Sequence, residues 1–181
     1  MAAHGPIVGE TDRKESVLDR ALRTELDALY RFARRMGLME ADAEDVLQEV
    51  ALVCARKGDV EVENARAYLF GVAFKIATRI RDRVRREAPP SLAMPNVASD
   101  PSDGPEAALQ DRQARRLLDA ILDSLPDDER AVFILCEIEE ETMAEVAVQL
   151  SLPAGTVASR LRRARESFAN ARKRLERREP S

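Results

Sequence analysis

The chain of 181 residues has no tryptophan, one histidine, two cysteines and seven glycines, and only 4% of it is aromatic. Each scarcity removes a class of protein. Many-stranded sandwiches and barrels need turn glycines and β-forming aromatics in number, so the fold is not expected to be of that kind. Cys54 and Cys136 stand far apart, each on an apolar helical pattern, which is neither a zinc spacing nor a disulfide framework. Both read as buried thiols packing as small hydrophobes. The one histidine, His4, has no cysteine or carboxylate constellation around it, so neither a metal nor a cofactor is expected. A nucleophile–base pair and a phosphate-cradling glycine loop are also missing, and the chain is not expected to be an enzyme. No run approaches the ~18 apolar residues of a membrane span. The opening "MAAHGPIVGETDRKES" lacks the apolar core of a signal peptide, so a cytoplasmic location is expected.

Charge is what the chain has in quantity. Charged residues make up 34% and hydrophobic ones 45%, a balance that suits a soluble helical protein. The net charge of −4 hides strong segregation. Between Thr156 and Arg178, nine cations (Arg160, Arg162, Arg163, Arg165, Arg172, Lys173, Arg174, Arg177, Arg178) face two acids, a local net of +7. A second run, "KIATRIRDRVRRE", sets Lys75, Arg79, Arg81, Arg83, Arg85 and Arg86 against Asp82 and Glu87, a local net of +4. The remainder is strongly acidic. Such a division points to polyanion contact at two places and a different partner elsewhere.

Periodicity predicts an all-α fold of two small helical domains. Residues 1–15 read as a tail. Leu18, Leu22, Leu26, Leu29 and Phe32 draw one apolar stripe that Gly37 ends. A second helix has Asp42 as its candidate N-cap and buries Ala43, Val46, Leu47, Val50 and Cys54, ending near Gly58. A third begins near Asn64 and turns from apolar to basic. "APPSLAMPNVASDPSDGP", residues 88–105, holds five prolines and reads as a flexible linker between a domain at 16–87 and one at 106–181. Beyond it, Glu106 to Leu125 is helical, and Pro126 with two aspartates suits the first turn of the next helix. In "TMAEVAVQL", Thr142 and Glu145 have capping-box spacing. A long helix from about Pro153 to Arg178 repeats Val157, Leu161, Ala164, Phe168, Ala171 and Leu175 at 4-3-4-3-4, with the arginines on its other face.

A short helix, a tight turn and a longer basic helix make a helix-turn-helix, whose second helix fits the major groove. Near the start of that helix Gly155 and Ala158 are small, Thr156 and Ser159 can hydrogen-bond, and Arg162 and Arg163 can reach base edges or phosphates. Arg160, Arg165 and Lys173 are placed to hold phosphates. In the other half, Tyr68, Phe70 and Phe74 lie beside the basic run, and such rings can stack on unpaired bases. Asp42, Glu44, Asp45, Gln48 and Glu49 share an acidic face suited to a basic partner.

The string "AEVAVQLSLPAGTVASRLRRARESF" closely resembles the promoter-binding domain of extracytoplasmic-function sigma factors, two-domain bacterial transcription initiation factors. "LYRFARRMGLMEADAEDVLQEVALVCARK" resembles that family's regions 2.1–2.2, and "NARAYLFGVAFKIATRIRDRVRR" its regions 2.3–2.4. The resemblance spans about residues 17–178 and implies a role for each segment. Asp42, Asp45, Gln48 and Glu49 would dock on the β′ clamp helices of core RNA polymerase. Tyr68, Phe70, Phe74, Lys75, Arg79, Arg81 and Arg83 would engage the −10 element. Thr156, Ala158, Ser159, Arg160, Arg162, Arg163 and Arg165 would bind the −35 element. An anti-sigma factor is a further implied partner. The chain departs from the family pattern at Lys75 and Arg79, where Asn and Asp are frequent, and at Val53–Cys54, where an aromatic is common. Ser151 replaces a common Gly, and "EEETM" an apolar-aromatic segment. Two alternatives stand beside this reading: a stand-alone helix-turn-helix regulator, and an adaptor that mimics a sigma domain to bind an anti-sigma factor.

Overall fold

The computed structural model describes residues 16–58, 62–87 and 107–176. The expected tail (1–15), the expected linker (88–105), the Leu175 side chain, Arg177 and Arg178 lie outside the described residues. The described residues are helical, with no strand: α1 (Val17–Arg35), α2 (Glu40–Lys57), α3 (Ala65–Glu87), α4 (Ala107–Asp123), α5 (Asp127–Phe133), α6 (Met143–Gln149) and α7 (Ala154–Glu176). The all-α expectation holds. A π-helical turn, Ile134–Ile138, continues α5.

Local chemistry accounts for most helix ends. Ser16 opens α1 with a capping box: its hydroxyl accepts from the Asp19 N–H at 3.0 Å, and the Asp19 carboxylate accepts from the Ser16 N–H at 3.3 Å. Gly37, at φ +88°, closes α1 as predicted. The N–H of Gly37 bonds the Arg34 carbonyl and that of Leu38 the Ala33 carbonyl, a pairing that needs the left-handed conformation. At α2 the expectation fails by a turn. Met39 is the N-cap, and Asp42 lies inside the first turn, where a carboxylate offsets the helix dipole instead of capping. Asn64 caps α3 by accepting from the Ala67 N–H at 2.9 Å. Pro126 precedes α5 as its N-cap instead of entering its first turn, which Asp127, Asp128 and Glu129 fill.

The predicted capping box of α6 is present. The Thr142 hydroxyl accepts from the Glu145 N–H at 3.3 Å, and the Glu145 carboxylate accepts from the Thr142 N–H at 2.8 Å. Ser151 then bends the chain at φ +54°, with N–H bonds from Ser151 to Val148 and from Leu152 to Ala147. This is the turn geometry that favours glycine, occupied here by a residue with a Cβ.

Three helices, α1 to α3, pack on each other; α5, α6 and α7 form a second bundle with α4 against α7. The expected stripes are buried: Leu29, Phe32, Val46, Val50, Cys54, Val157, Leu161, Ala164 and Ala171. Leu22, Leu47 and Phe168 are half-buried, and Leu26 is exposed at 39%. Phe133 stacks on Phe168 with centroids 4.8 Å apart. Burial pushes the thiols of Cys54 and Cys136 above their ordinary values, as expected of packing groups. The two bundles share one continuous apolar core, because α6 also lies on α3.

Two stability changes follow. Thr142→Ala should lower unfolding free energy by about 1 kcal/mol, while Ser151→Gly should raise it by roughly 0.5–1 kcal/mol by removing left-handed strain. Urea denaturation followed by helical circular dichroism measures both. Hydrogen bonds from the Thr142 N–H and hydroxyl also hold the Glu145 carboxyl below its ordinary pKa. A carboxylate favoured in its charged form by folding stabilises above its unfolded pKa of about 4.3 and loses that contribution as pH falls through the lower folded value. Glu145→Gln should therefore remove part of the acid sensitivity of the helical signal.

Candidate nucleic-acid interface

The helix-turn-helix is built by α6, the Ser151 turn and α7. The N–H groups of Thr156 and Val157 bond the Pro153 carbonyl, so α7 starts where proline can no longer continue a preceding helix. Val157, Leu161 and Ala164 turn inward, which leaves Ala158, Arg162 and Arg165 outward. Arg162 is 67% exposed, Arg165 60% and Arg163 53%, whereas Arg160 is only 20% exposed and lies against α5. The Ser159 hydroxyl donates to the Thr156 carbonyl at 2.9 Å.

Each of these arginines holds a carboxylate. Arg160 pairs with Asp128 at 2.7 Å and Arg163 with Glu129 at 3.0 Å, both acids from the first turn of α5. Arg165 donates twice to Glu137, at 3.0 and 2.6 Å, and Arg162 meets Glu166 one turn on at 2.8 Å. Exposed pairs of this kind contribute roughly 0–1 kcal/mol. They hold the guanidinium groups extended while asking little energy for exchange against a phosphate.

On α3 the cations fall on two faces. Lys75, Arg79 and Arg83, four residues apart, are exposed on one side. Arg79 is paired with Glu49 of α2, and Arg83 lies 3.6 Å from Asp42. The expected polymerase-facing acids therefore adjoin this stripe; Glu44, Asp45 and Gln48 are exposed beside it. Tyr68 is half-buried with Lys57 Nζ 3.9 Å from its ring centroid, and Phe74 is half-buried. Phe70 departs from its expected role. It is fully buried, edge-on to Phe32 at 5.7 Å, so its ring is core and offers no face to a base.

Arg81 also departs from expectation. It is 7% exposed, turned away from the outer stripe onto the second bundle. Its guanidinium lies 3.3 Å from Asp123 and 2.7 Å from Asp127, the latter off the hydrogen-bond direction, so charge carries that contact. Burial, with Arg130 nearby, pulls its pKa down to about 10.

Residues 115–168 match the family described as Sigma-70, region 4. Over 160 residues the chain is 33% identical to the RNA polymerase sigma-E factor of Streptomyces avermitilis, with 87% of this chain and 84% of that protein covered. The chain belongs to the extracytoplasmic-function sigma factor family. As such it is a transcription initiation factor. It is also 35% identical over 158 residues to the ECF RNA polymerase sigma factor SigE of Mycolicibacterium smegmatis, covering 83% of this chain and 59% of that longer protein. Among solved structures it is similar to the sigma factor RpoE in its complex with the anti-sigma factor NepR from Bartonella quintana, at 25% identity and a TM-score of 0.64, covering 85% of this chain and 95% of that one. CnrH in complex with the cytosolic domain of CnrY shares the fold at a TM-score of 0.63 and 22% identity, covering 90% and 89%.

Sequence reasoning missed the polar groups between the two bundles of this sigma factor. Arg130 is 1% exposed; its Nε donates to the Arg35 carbonyl and its Nη1 to Asp123, both at 2.5 Å. Arg66 bridges Glu25 and Glu141, and Glu139 receives Arg31 and Arg35. The available signal was register: Arg81 stands four residues after Ala77, which stands four after Ala73, so it continues a buried stripe. No helix among the described residues is long and apolar enough to cross a membrane, and no cluster of three metal-ligating side chains occurs among them.

Buried and exposed arginines should behave differently. Arg162→Ala and Arg163→Ala should change stability by under about 0.5 kcal/mol. Arg130→Ala should cost roughly 3 kcal/mol or more, because it empties a buried site and strands the Arg35 carbonyl. Thermal unfolding of the three variants side by side makes the comparison.

Proposed function

We propose that this sigma factor directs bacterial core RNA polymerase to promoters by dividing recognition between its bundles. The exposed amino-terminal face of α7, with Thr156, Ala158, Ser159, Arg162, Arg163 and Arg165, reads and holds the −35 element. The outer face of α3, with Lys75, Arg79 and Arg83 and the half-buried Tyr68 and Phe74, engages the −10 element. The acidic face of α2, with Asp42, Asp45, Gln48 and Glu49, docks on the β′ clamp helices. An anti-sigma factor is a further partner, as for the relatives solved with NepR and CnrY. The site of action is the cytoplasm, where the polymerase works.

The observation that carries this reading is the presentation of α7. A tight turn, small residues at its start and three arginines more than half exposed along one face suit insertion into a major groove. Lys75 and Arg79 shift the −10 contact toward phosphate, since neither offers the amide or carboxylate chemistry that distinguishes bases most sharply.

Run-off transcription with sigma-free core polymerase on fragments of the native genome tests the proposal. Specific transcripts should require the protein and should fall at least tenfold with Arg162→Ala/Arg163→Ala. Lys75→Ala/Arg79→Ala should weaken every promoter about equally and lower the salt dependence, with a slope smaller by about 2 for two lost phosphate contacts. Sequence-specific DNA binding without polymerase and without transcripts would instead favour a stand-alone regulator.

A further inference from the structure

The exposed arginines of α7 stand in two kinds of ion pair. Arg165 donates through Nε and Nη2, at 3.0 and 2.6 Å, to one and the same oxygen of Glu137. That contact grips the stem side of the guanidinium and leaves Nη1 outside the pair. Arg163 is met in the same way, with its Nε 3.0 Å from Glu129 and its two terminal nitrogens outside the pair. Arg162 is the reverse case. Glu166, on the same helix, takes it by the terminal Nη1 at 2.8 Å, and both side chains are more than half exposed. A bidentate contact to a phosphate or a base edge needs two guanidinium nitrogens at once. Arg162 must release its acid to make one, whereas Arg163 and Arg165 can make theirs and keep their acids.

The framework under these pairs is fixed by packing. Glu129, Phe133 and Glu137 follow one another at intervals of four residues along α5 and its π-helical continuation, which pack against the buried side of α7. Phe133 stacks on Phe168, one turn beyond Arg165, so the middle of that row is pinned. Its two ends emerge on opposite sides of α7, with Glu129 at one and Glu137 at the other. Two residues advance a helix by roughly 200°, so Arg163 and Arg165 flank opposite edges of the outward face. Arg162 lies in the sector between them, one turn after the small, exposed Ala158.

We propose that Glu129 and Glu137 are positioning residues for −35 binding. They aim Arg163 and Arg165 at the phosphates on the two sides of the major groove, and so set the register in which Arg162 meets base edges. This rests on the sigma reading above. A free arginine loses rotamer freedom when it meets a phosphate, but one already held lost it during folding. Phosphate contacts then fix where the helix sits, and the centre of its face specifies. The sign of the effect is distinctive. By charge alone each acid repels DNA, so its removal would tighten binding to any sequence; as a positioning residue, its removal weakens binding to the right one. Glu166 has only the first effect.

The test uses holoenzyme assembled from sigma-free core polymerase and the full chain. Affinity is measured for a promoter fragment recovered from the run-off assay, and for the same fragment with its −35 element scrambled. Glu137→Ala should lower the ratio of the two affinities by about threefold to tenfold, without weakening binding to the scrambled fragment. Glu137→Gln removes the same charge but keeps an oxygen that can accept both bonds from Arg165, and should keep most of the ratio. Glu166→Ala should tighten binding to both fragments. Added to Arg165→Ala, Glu137→Ala should change nothing further, because it acts through that arginine; Glu129→Ala should behave likewise with Arg163→Ala. Should Glu129→Ala, at the start of α5, fail to fold, the Glu137 variants decide alone. If Glu137→Ala tightens promoter binding as Glu166→Ala does, the acid merely competes with DNA and the proposal is overturned. Equal ratios for Glu137→Ala and Glu137→Gln, or a further fall on top of Arg165→Ala, overturn it as well. A parent that gives no transcripts, or does not discriminate the two fragments, overturns the sigma reading together with this one, whereas a discriminating parent whose ratio survives Glu137→Ala overturns the positioning alone.

Discussion

The arrangement depends on one buried guanidinium. Arg130 follows directly on the first turn of α5, where Pro126 and three acids fix the helix start. From there it reaches the carbonyl end of α1 and the carboxylate that ends α4. Three helix termini therefore converge on a single side chain. Burial opposes its charge, and Asp123 beside it restores only part of what water would provide. A pair of this kind is poor evidence for added stability, since an apolar replacement of equal volume often does as well. What it supplies is geometry. An apolar contact tolerates sliding, whereas five donors in a fixed fork accept one placement of Arg35 and Asp123.

That placement explains why the arginines of this chain behave as two populations. Arg162, Arg163 and Arg165 on α7 and Arg79 on the outer side of α3 are exposed, and each is paired with a carboxylate. Arg81, facing the boundary, is covered and holds carboxylates of the opposite bundle. Sequence position alone does not separate them: Arg79, Arg81 and Arg83 alternate within little more than one turn of helix. The sorting is angular. Two residues advance a helix by roughly 200°, so Arg81 points nearly opposite to its neighbours.

The same angular argument shows what was legible beforehand. Capping boxes, the Gly37 turn and the apolar stripes are local patterns, set within four residues, and they appear where spacing places them. The turn between α6 and α7 was legible for the same reason. Phe70, Arg81 and Arg160 were not placed by residue type, because their fates depend on which surface another helix covers. Phe70 meets Phe32 from α1, Arg81 meets the α4–α5 corner, and Arg160 meets the first turn of α5. Composition marks an aromatic or a cation as available for nucleic acid; only packing across long sequence separations decides whether it is. Asp42 is the local counterexample, since Met39, three residues earlier and with extended backbone, took the cap.

Carboxylates are thus the resting partners of nearly every cation that a nucleic acid would want. For binding, a phosphate contact that replaces an intramolecular pair is not a simple gain. Exposed pairs contribute roughly 0–1 kcal/mol, so the exchange at α7 is close to neutral and counterion release tips it toward DNA. At the boundary the exchange is more demanding, because opening it uncovers apolar surface as well as charge. The two ends of a promoter are consequently unequal partners. The arginines of α7 are exposed as they stand, whereas Arg81 of α3 is covered by Asp123 and Asp127. On the function proposed above, a polymerase surface that takes Glu49 from Arg79 by binding the acidic α2 helix would free the outer face of α3. The acids that appear to oppose DNA binding then become the means by which the enzyme permits it.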